Sequence, residues 1–191
     1  MVTVAVLALQ GAFLEHEKVL TKLGVDHFEI RNSEDLKRPF DALIIPGGES
    51  TVMGKLLREL NLLEDLKKRI AEGLPAFGTC AGMIVLAKEV EGGVPALPAM
   101  DIKVLRNAYG RQLGSFYANE DFADLGKVPM TFIRAPCIES VSGNAEVLAV
   151  VDGRIVAARD GKLLAVAFHP EITDSTAIHE YFLRTVAGLN Y

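Results

Sequence analysis

Between Gly73 and Lys88 the chain changes character twice. Leu74-Pro75-Ala76-Phe77 is a short apolar run after a glycine and reads as a buried strand. Gly78-Thr79-Cys80-Ala81-Gly82 follows, and Met83-Ile84-Val85-Leu86-Ala87-Lys88 then reads as a helix. A strand, a tight turn and a helix with a cysteine at the tip form a nucleophile-elbow layout, with Cys in the place of Ser. This order commits the chain to a strand that feeds directly into a helix. The flanking glycines let the turn close without Cβ clashes. The partial positive charge of a helix N-terminus favours thiolate over thiol. A cysteine buried as a small hydrophobe before a helix fits the same residues, and the stretch alone does not separate the two readings.

The rest of the first half alternates strand and helix. Thr3 to Leu9 is a near-continuous apolar strand, suited to cover on both faces. Gln10-Gly11 turns the chain into a helix over Ala12 to Leu23, closed by Gly24. Val25 to Ile30 reads as a second strand, Glu34 to Lys37 as a helical turn, and Asp41 to Ile45 as a third strand. That strand runs into Pro46-Gly47-Gly48-Glu49-Ser50-Thr51, where Ser50 or Thr51 can cap a helix over Val52 to Leu60. Leu62 to Glu72 forms the next helix, acidic early and basic late, as the helix dipole favours. Such βαβ alternation implies an α/β fold with a doubly wound, mostly parallel sheet flanked by helices. Sites in these sheets lie beyond the carboxyl ends of the strands. The loops at Pro46 to Thr51 and Gly78 to Gly82 can therefore face one crevice.

The second half reads differently. A Gly/Pro-rich connector over Gly92 to Met100 precedes short strands at 101–105, 114–118, 128–133, 138–142, 145–151, 153–159 and 162–168. Asp152-Gly153 and Asp160-Gly161 are hairpin turn signals. These strands are expected to add antiparallel neighbours to one edge of the sheet. Ser175 to Leu189 reads as a closing helix capped by Asp174 or Ser175. At 191 residues, 1–191 is read as a single domain.

Composition narrows the function classes. A formal net charge of −5 argues against an electrostatic nucleic-acid or membrane surface. The longest apolar runs are too short to span a bilayer. Met1 to Val6 lacks a basic stretch before its apolar run and reads as a strand rather than a signal peptide. Two cysteines, Cys80 and Cys137, allow at most one bridge, and without export signals reduced thiols in the cytoplasm are expected. No P-loop, dinucleotide fingerprint or zinc spacing occurs, so neither cofactor nor metal is expected.

A thiol nucleophile needs a base, and the base needs a group to orient it. His16 and His179 fall in expected helices and His27 in a strand, and all three read as structural or solvated. His169 ends the apolar run Leu163 to Phe168 and precedes Pro170-Glu171. A residue before proline is pushed toward extended backbone, so His169 and Glu171 are expected to project together. A chance His beside an exposed carboxylate is the plainer alternative. Acyl transfer also needs oxyanion donors; the Gly47-Gly48 peptide groups and the Ala81 N–H are candidates. Gly-Gly also permits a peptide flip, hence a switchable hole. Glu49 and Ser50 add polar groups at that rim. Arg134 can hold a substrate carboxylate or simply face water. Cys137, with no glycine frame or neighbouring base, reads as a buried structural thiol.

Gly78-Thr79-Cys80-Ala81-Gly82 with His169-Pro170-Glu171 resembles the triad glutamine amidotransferases, whose class I members share a flavodoxin-like sheet. Leu9-Gln10-Gly11-Ala12, Pro46 to Thr51, Arg106-Asn107 with Gly110-Arg111-Gln112, and Phe132-Ile133-Arg134-Ala135-Pro136 narrow the likeness. The set looks like the glutaminase subunits of two-component pyridoxal 5′-phosphate synthases. That resemblance implies hydrolysis of glutamine to glutamate and ammonia, with ammonia passed to a (β/α)₈-barrel synthase partner in a large hetero-oligomer. It implies Cys80 as nucleophile with His169 and Glu171 completing the triad. It implies glutamine contacts at Gly48, Glu49, Ser50, Arg106, Ile133 and Arg134, and dependence on the partner for activity. One departure is Leu97-Pro98-Ala99, where the family pattern has a Leu-Gly turn. Three rivals are a glutaminase feeding another synthase, a stand-alone cysteine hydrolase, and a silent binding module.

Overall fold

The computed structural model describes residues 1–110 and 114–191. Arg111 and Gln112 of the sequence motif thus lie outside the described residues. The first half runs β1 (Thr3–Leu7), α1 (Phe13–Lys22), β2 (Asp26–Ile30), β3 (Ala42–Ile45), α2 (Ser50–Glu59), α3 (Leu63–Ala71) and β4 (Ala76–Thr79). The elbow leads into α4 (Ala81–Leu86) and directly into β5 (Ala87–Glu91). The second half adds β6 (Met100–Leu105), β7 (Ser115–Asp121), β8 (Lys127–Ile133), β9 (Cys137–Val141), β10 (Glu146–Val151), β11 (Arg154–Asp160), β12 (Leu163–Val166) and α5 (Ala177–Glu180).

Strand order in the main sheet is β2-β1-β3-β4-β12-β11-β9-β6-β5, with β10 paired to β11. The five strands from β2 to β12 are mutually parallel. Every residue of β3, β4 and β12 is buried. Such strands must be covered on both faces, which is why they read as unbroken apolar runs rather than alternating ones. Phe77 of β4 is fully buried against Phe182, 5.3 Å between ring centroids. Removing a side chain of that size from water contributes about 1.5–3 kcal/mol.

The expected α/β architecture is present, with four differences. First, β12 is not an edge addition. It lies parallel against β4, so the carboxyl ends of β3, β4 and β12 open side by side. Second, β7 and β8 leave the main sheet and form their own antiparallel hairpin. Its aromatic residues explain the separation: Phe116 stacks on Phe132 at 4.4 Å, and buried Phe132 packs against Phe168 at 5.7 Å. The hairpin thus has an apolar anchor beyond the end of β12. Third, α4 stops at Leu86, where Ala87 turns extended and Lys88-Glu89-Val90-Glu91 continue as a strand. Leu97 and Ala99 donate to the Val85 and Leu86 carbonyls, tying the Leu97-Pro98-Ala99 connector to the end of that helix. Fourth, the closing helix changes pitch. Four residues of α5 give way to a π-helical segment at Tyr181–Val186, in which Tyr181, Phe182, Leu183 and Val186 are all buried. Its N-cap position is Thr176, and Ser175 Oγ accepts from the Ala177 N–H.

The cap of α2 also differs from expectation. Glu49, not Ser50 or Thr51, occupies it, and its carboxylate accepts from the Thr51 and Val52 N–H groups at 3.1 and 2.9 Å. A carboxylate there meets two orphan donors and the positive end of the dipole.

Candidate active site

Cys80 leaves β4 with φ 50° and ψ −104°, a conformation that costs a non-glycine residue about 1–3 kcal/mol. The strain is held by close packing. A Cβ on Gly78 would overlap the Gly82 carbonyl, and one on Gly82 would overlap the Ile45 carbonyl of β3. The Cys80 N–H donates to Val166 of β12 at 2.8 Å, and the Cys80 carbonyl accepts from Met83 at 3.1 Å. The elbow is therefore clamped by strands on both sides, and the thiol stands 8% exposed at its tip.

His169 follows β12 at the same end of the sheet. Its N–H donates to the Thr131 carbonyl of the β7–β8 hairpin at 2.8 Å. Pro170–Ile172 forms a 3₁₀ turn. His169 and Glu171 were expected to align along extended backbone, but the turn brings them together instead. His169 Nδ1 and Glu171 Oε1 are 2.6 Å apart, and both residues are buried. Burial opposes a charge on His169. Its partners Cys80 and Glu171 outweigh that and raise its pKa from 6.5 to about 10. The ring thus lies between a sulfur and a carboxylate, both of which favour its charged form.

The third wall is Gly47-Gly48. A Cβ on Gly47 would overlap His169 Cε1 and sit 3.4 Å from Cys80 Cβ, so only glycine admits the ring. The Gly47 carbonyl accepts from the Ala12 N–H at 3.0 Å. Gly11, at φ +92°, packs so close to that carbonyl that no side chain fits. Gln10 Oε1 accepts from the Glu49 N–H at 2.7 Å. Gln10-Gly11-Ala12 thereby grips the peptide from outside. In a planar trans peptide the Gly48 N–H points opposite to the Gly47 carbonyl, and flipping it would break the Ala12 bond.

Gly48, Glu49, Ser50, Cys80, Ala81, Ile84, Arg106, Asn107, Arg134 and Pro136 line a cleft of about 130 Å³. A larger hollow of about 350 Å³ adjoins it, sharing Ser50, Ile84 and Arg106, but no cysteine lines it. Arg106 Nη2 reaches Thr51 Oγ1 at 3.0 Å and Glu49 Oε1 at 3.4 Å. Burial raises the Glu49 pKa, but the donors at Thr51 and Val52 and the Arg106 charge win and hold it below the usual carboxylate range. One wall of the mouth therefore carries a fixed anion and a fixed cation side by side. Arg134 reaches the cleft from φ 43°, its N–H bonded to the Gly114 carbonyl at 2.6 Å. Ile133 ends β8, is 41% exposed and does not line the cleft. Cys137 is buried apart from the site.

Three features have places in the site that the sequence reading did not assign. Asn107 and Pro136 line the cleft, and Gln10 grips the Gly48-Glu49 turn. His16 and His179 are fully buried and bonded to each other at 2.9 Å, so of the structural and solvated readings the structural one holds, and their pairing is new. A signal existed: His16, Val19, Leu20 and Leu23, like His179, Phe182, Leu183 and Val186, follow the i, i+3, i+4, i+7 spacing of a buried helix face. His27 makes a local bond to the Val25 carbonyl at 3.1 Å.

A thiol on a strained elbow, a carboxylate-bound histidine and a glycine-lined wall are the parts that cysteine-dependent acyl transfer calls for. Residues 6–188 match the SNO glutamine amidotransferase family, and the chain belongs to it. It is similar to a pyridoxal 5′-phosphate synthase subunit PdxT of Methanocorpusculum labreanum, 58% identical over 98% of this chain and 99% of that one. A protein of the same description from Desulfitobacterium hafniense is 53% identical over 97% of this chain and 94% of the relative. Among solved structures, a glutamine amidotransferase superimposes with a TM-score of 0.91 at 46% identity, covering 97% and 99% of the two chains.

Proposed function

We propose that this protein is the glutaminase subunit of a pyridoxal 5′-phosphate synthase. It hydrolyses L-glutamine to L-glutamate and ammonia and delivers the ammonia to a synthase partner. The observation that carries the reading is the 2.6 Å His169–Glu171 pair beside a cysteine forced to φ 50°. Structural cysteines have no need of such strain.

In this reading His169 holds the thiol's proton and the Cys80 sulfur attacks the side-chain carbonyl of glutamine. Ala81 supplies one oxyanion donor, since the first N–H groups of a helix lack intrahelical acceptors. The Gly47-Gly48 peptide supplies the other. His169 then protonates the departing ammonia, leaving a glutamyl thioester. Water, activated by the now neutral His169, attacks the thioester and releases glutamate and the thiol. Glu171 orients the ring through both half-reactions. Gly48, Glu49, Ser50, Arg106 and Arg134 surround the amino-acid end of the substrate. The Glu49 carboxylate suits its ammonium and the two guanidinium groups its carboxylate.

The partner is a (β/α)₈-barrel synthase in a hetero-oligomer, and the pair works in the cytoplasm. Among the described residues no helix is long and apolar enough to cross a membrane. Ammonia release from glutamine, measured with the synthase present, tests the assignment. Cys80→Ala is expected to lower it by at least about 10⁴-fold with thermal stability retained. Turnover that survives the substitution would refute the role of Cys80.

A further inference from the structure

Behind the triad lies a buried polar cluster that the chemistry above does not use. His16 of α1 and His179 of α5 share a hydrogen bond, Nδ1 of the first 2.9 Å from Nε2 of the second. His16 Nε2 lies 3.1 Å from Thr79 Oγ1, the residue before the nucleophile, and 3.6 Å from Glu171 Oε2. Phe77 packs edge-on against both rings. Glu171 spends Oε1 on His169, while Oε2 is buried without a hydrogen-bond partner. A bare, buried carboxylate oxygen is costly, so the group facing it matters.

Proton bookkeeping decides what faces it. Two neutral rings joined by one N···N bond must divide donor and acceptor between them. If His16 donated from Nδ1, its Nε2 would turn a lone pair toward a carboxylate oxygen. His179 would then carry its own proton on Nδ1, which is buried and has no acceptor. The reverse arrangement leaves no N–H unpaired. His179 Nε2–H donates to His16 Nδ1, and His16 Nε2–H points at Thr79 Oγ1 and Glu171 Oε2. Burial keeps both rings neutral. It pushes His16 well below 6.5, with help from His179 and His169, and takes His179 down to about 3.

We propose that His16, locked in its Nε2–H tautomer by His179, is a positioning residue that steadies the free oxygen of Glu171 and so aims His169 at Cys80. The inference rests on the glutaminase reading. Its consequence is a chain of contacts from the closing helix through α1 to the nucleophile, with each ring's tautomer fixed by the next.

Two measurements test it. In the complex with the synthase, His16→Leu removes the donor at similar volume and is expected to lower kcat for glutamine hydrolysis about 10- to 100-fold. KM for glutamine should change less than about 2-fold, since the rim is untouched. His16→Gln, which restores a donor near the Nε2 position, should recover kcat to within about 3-fold of wild type. A His16→Leu kcat within about 2-fold of wild type, or a folded His16→Gln no better than His16→Leu, overturns the proposal. The second measurement needs no variant: imidazole ¹⁵N NMR of the wild-type chain should show neutral Nε2–H tautomers at His16 and His179. An Nδ1–H tautomer or a charged ring at His16 would overturn it even if both substitutions prevent folding. Because the NMR result does not depend on turnover, a wild-type complex that released no ammonia would refute the glutaminase reading alone.

Discussion

Behind Cys80 the side chains of Thr79, His169, Glu171, His16 and His179 are all buried, and they hydrogen-bond among themselves. In front of it Glu49 and Arg134 are exposed and Arg106 half-buried, all three at loops or the first turn of a helix. The back is assembled by the sheet. β4 delivers Cys80, β12 delivers His169, and the β7–β8 hairpin fixes the His169 main chain at Thr131. The rim comes from the ends of β3, β6 and β8. The lesson is a difference in support: the groups behind Cys80 are placed by close packing, and those at the rim stand on loops and a first helical turn, open to solvent.

Gly47 sits on the boundary, and substituting it should give the largest effect after loss of the nucleophile itself. A methyl at Gly47→Ala must displace the His169 ring, so kcat is expected to fall about 100-fold while thermal unfolding shifts little. Steady-state kinetics of the complex check this. An unchanged kcat would mean that the ring is not confined as described. Arg106→Ala attacks the rim instead. Its contacts to Glu49 and Thr51 are solvent-accessible and stabilise the fold by no more than about 1 kcal/mol. The expected outcome is a rise of about 10-fold in KM for glutamine with kcat nearly unchanged. A fall in kcat at constant KM would erase the contrast between rim and back.

A further effect is on stability. His16 and His179 stay neutral in the fold, with pKa values lowered from 6.5. Below pH 6.5 the unfolded chain takes up protons that the folded chain refuses. Stability should therefore fall as pH drops below about 6.5, because each unfolded ring takes up a proton there while its buried counterpart stays neutral. Chemical denaturation at several pH values would measure that slope, and His179→Phe should make it shallower. An unchanged slope would place the two rings in contact with water.

Much of the back of the site was legible in sequence because it is written locally. Gly78 to Gly82 carries the elbow within five residues, and His169-Pro170-Glu171 carries the buried His–Glu pair within three. The backbone joining those two was misjudged: a residue before proline disfavours helix but does not forbid a 3₁₀ turn starting at the proline. What escaped was long-range. His16 and His179 are 163 residues apart, and Gln10 and Glu49 are 39 apart. Neither pairing leaves a periodicity between its members. The apolar run at β12 signalled burial but not its parallel place beside β4. For β5, the charges of Lys88, Glu89 and Glu91 hid a strand that lies at the sheet edge with its outer face in water.

The most direct test uses the two thiols against each other. Cys80 and Cys137 are both buried, 8% and 4% exposed, yet only Cys80 lines the cleft. The full chain, in complex with its synthase, can be treated with a glutamine analogue bearing an electrophilic diazoketone and mapped by peptide mass spectrometry. The account predicts one adduct, on Cys80, suppressed by excess glutamine and matched by loss of ammonia release. An unlabelled Cys80 in a complex that still hydrolyses glutamine, or an adduct on Cys137 that abolishes activity, would contradict it.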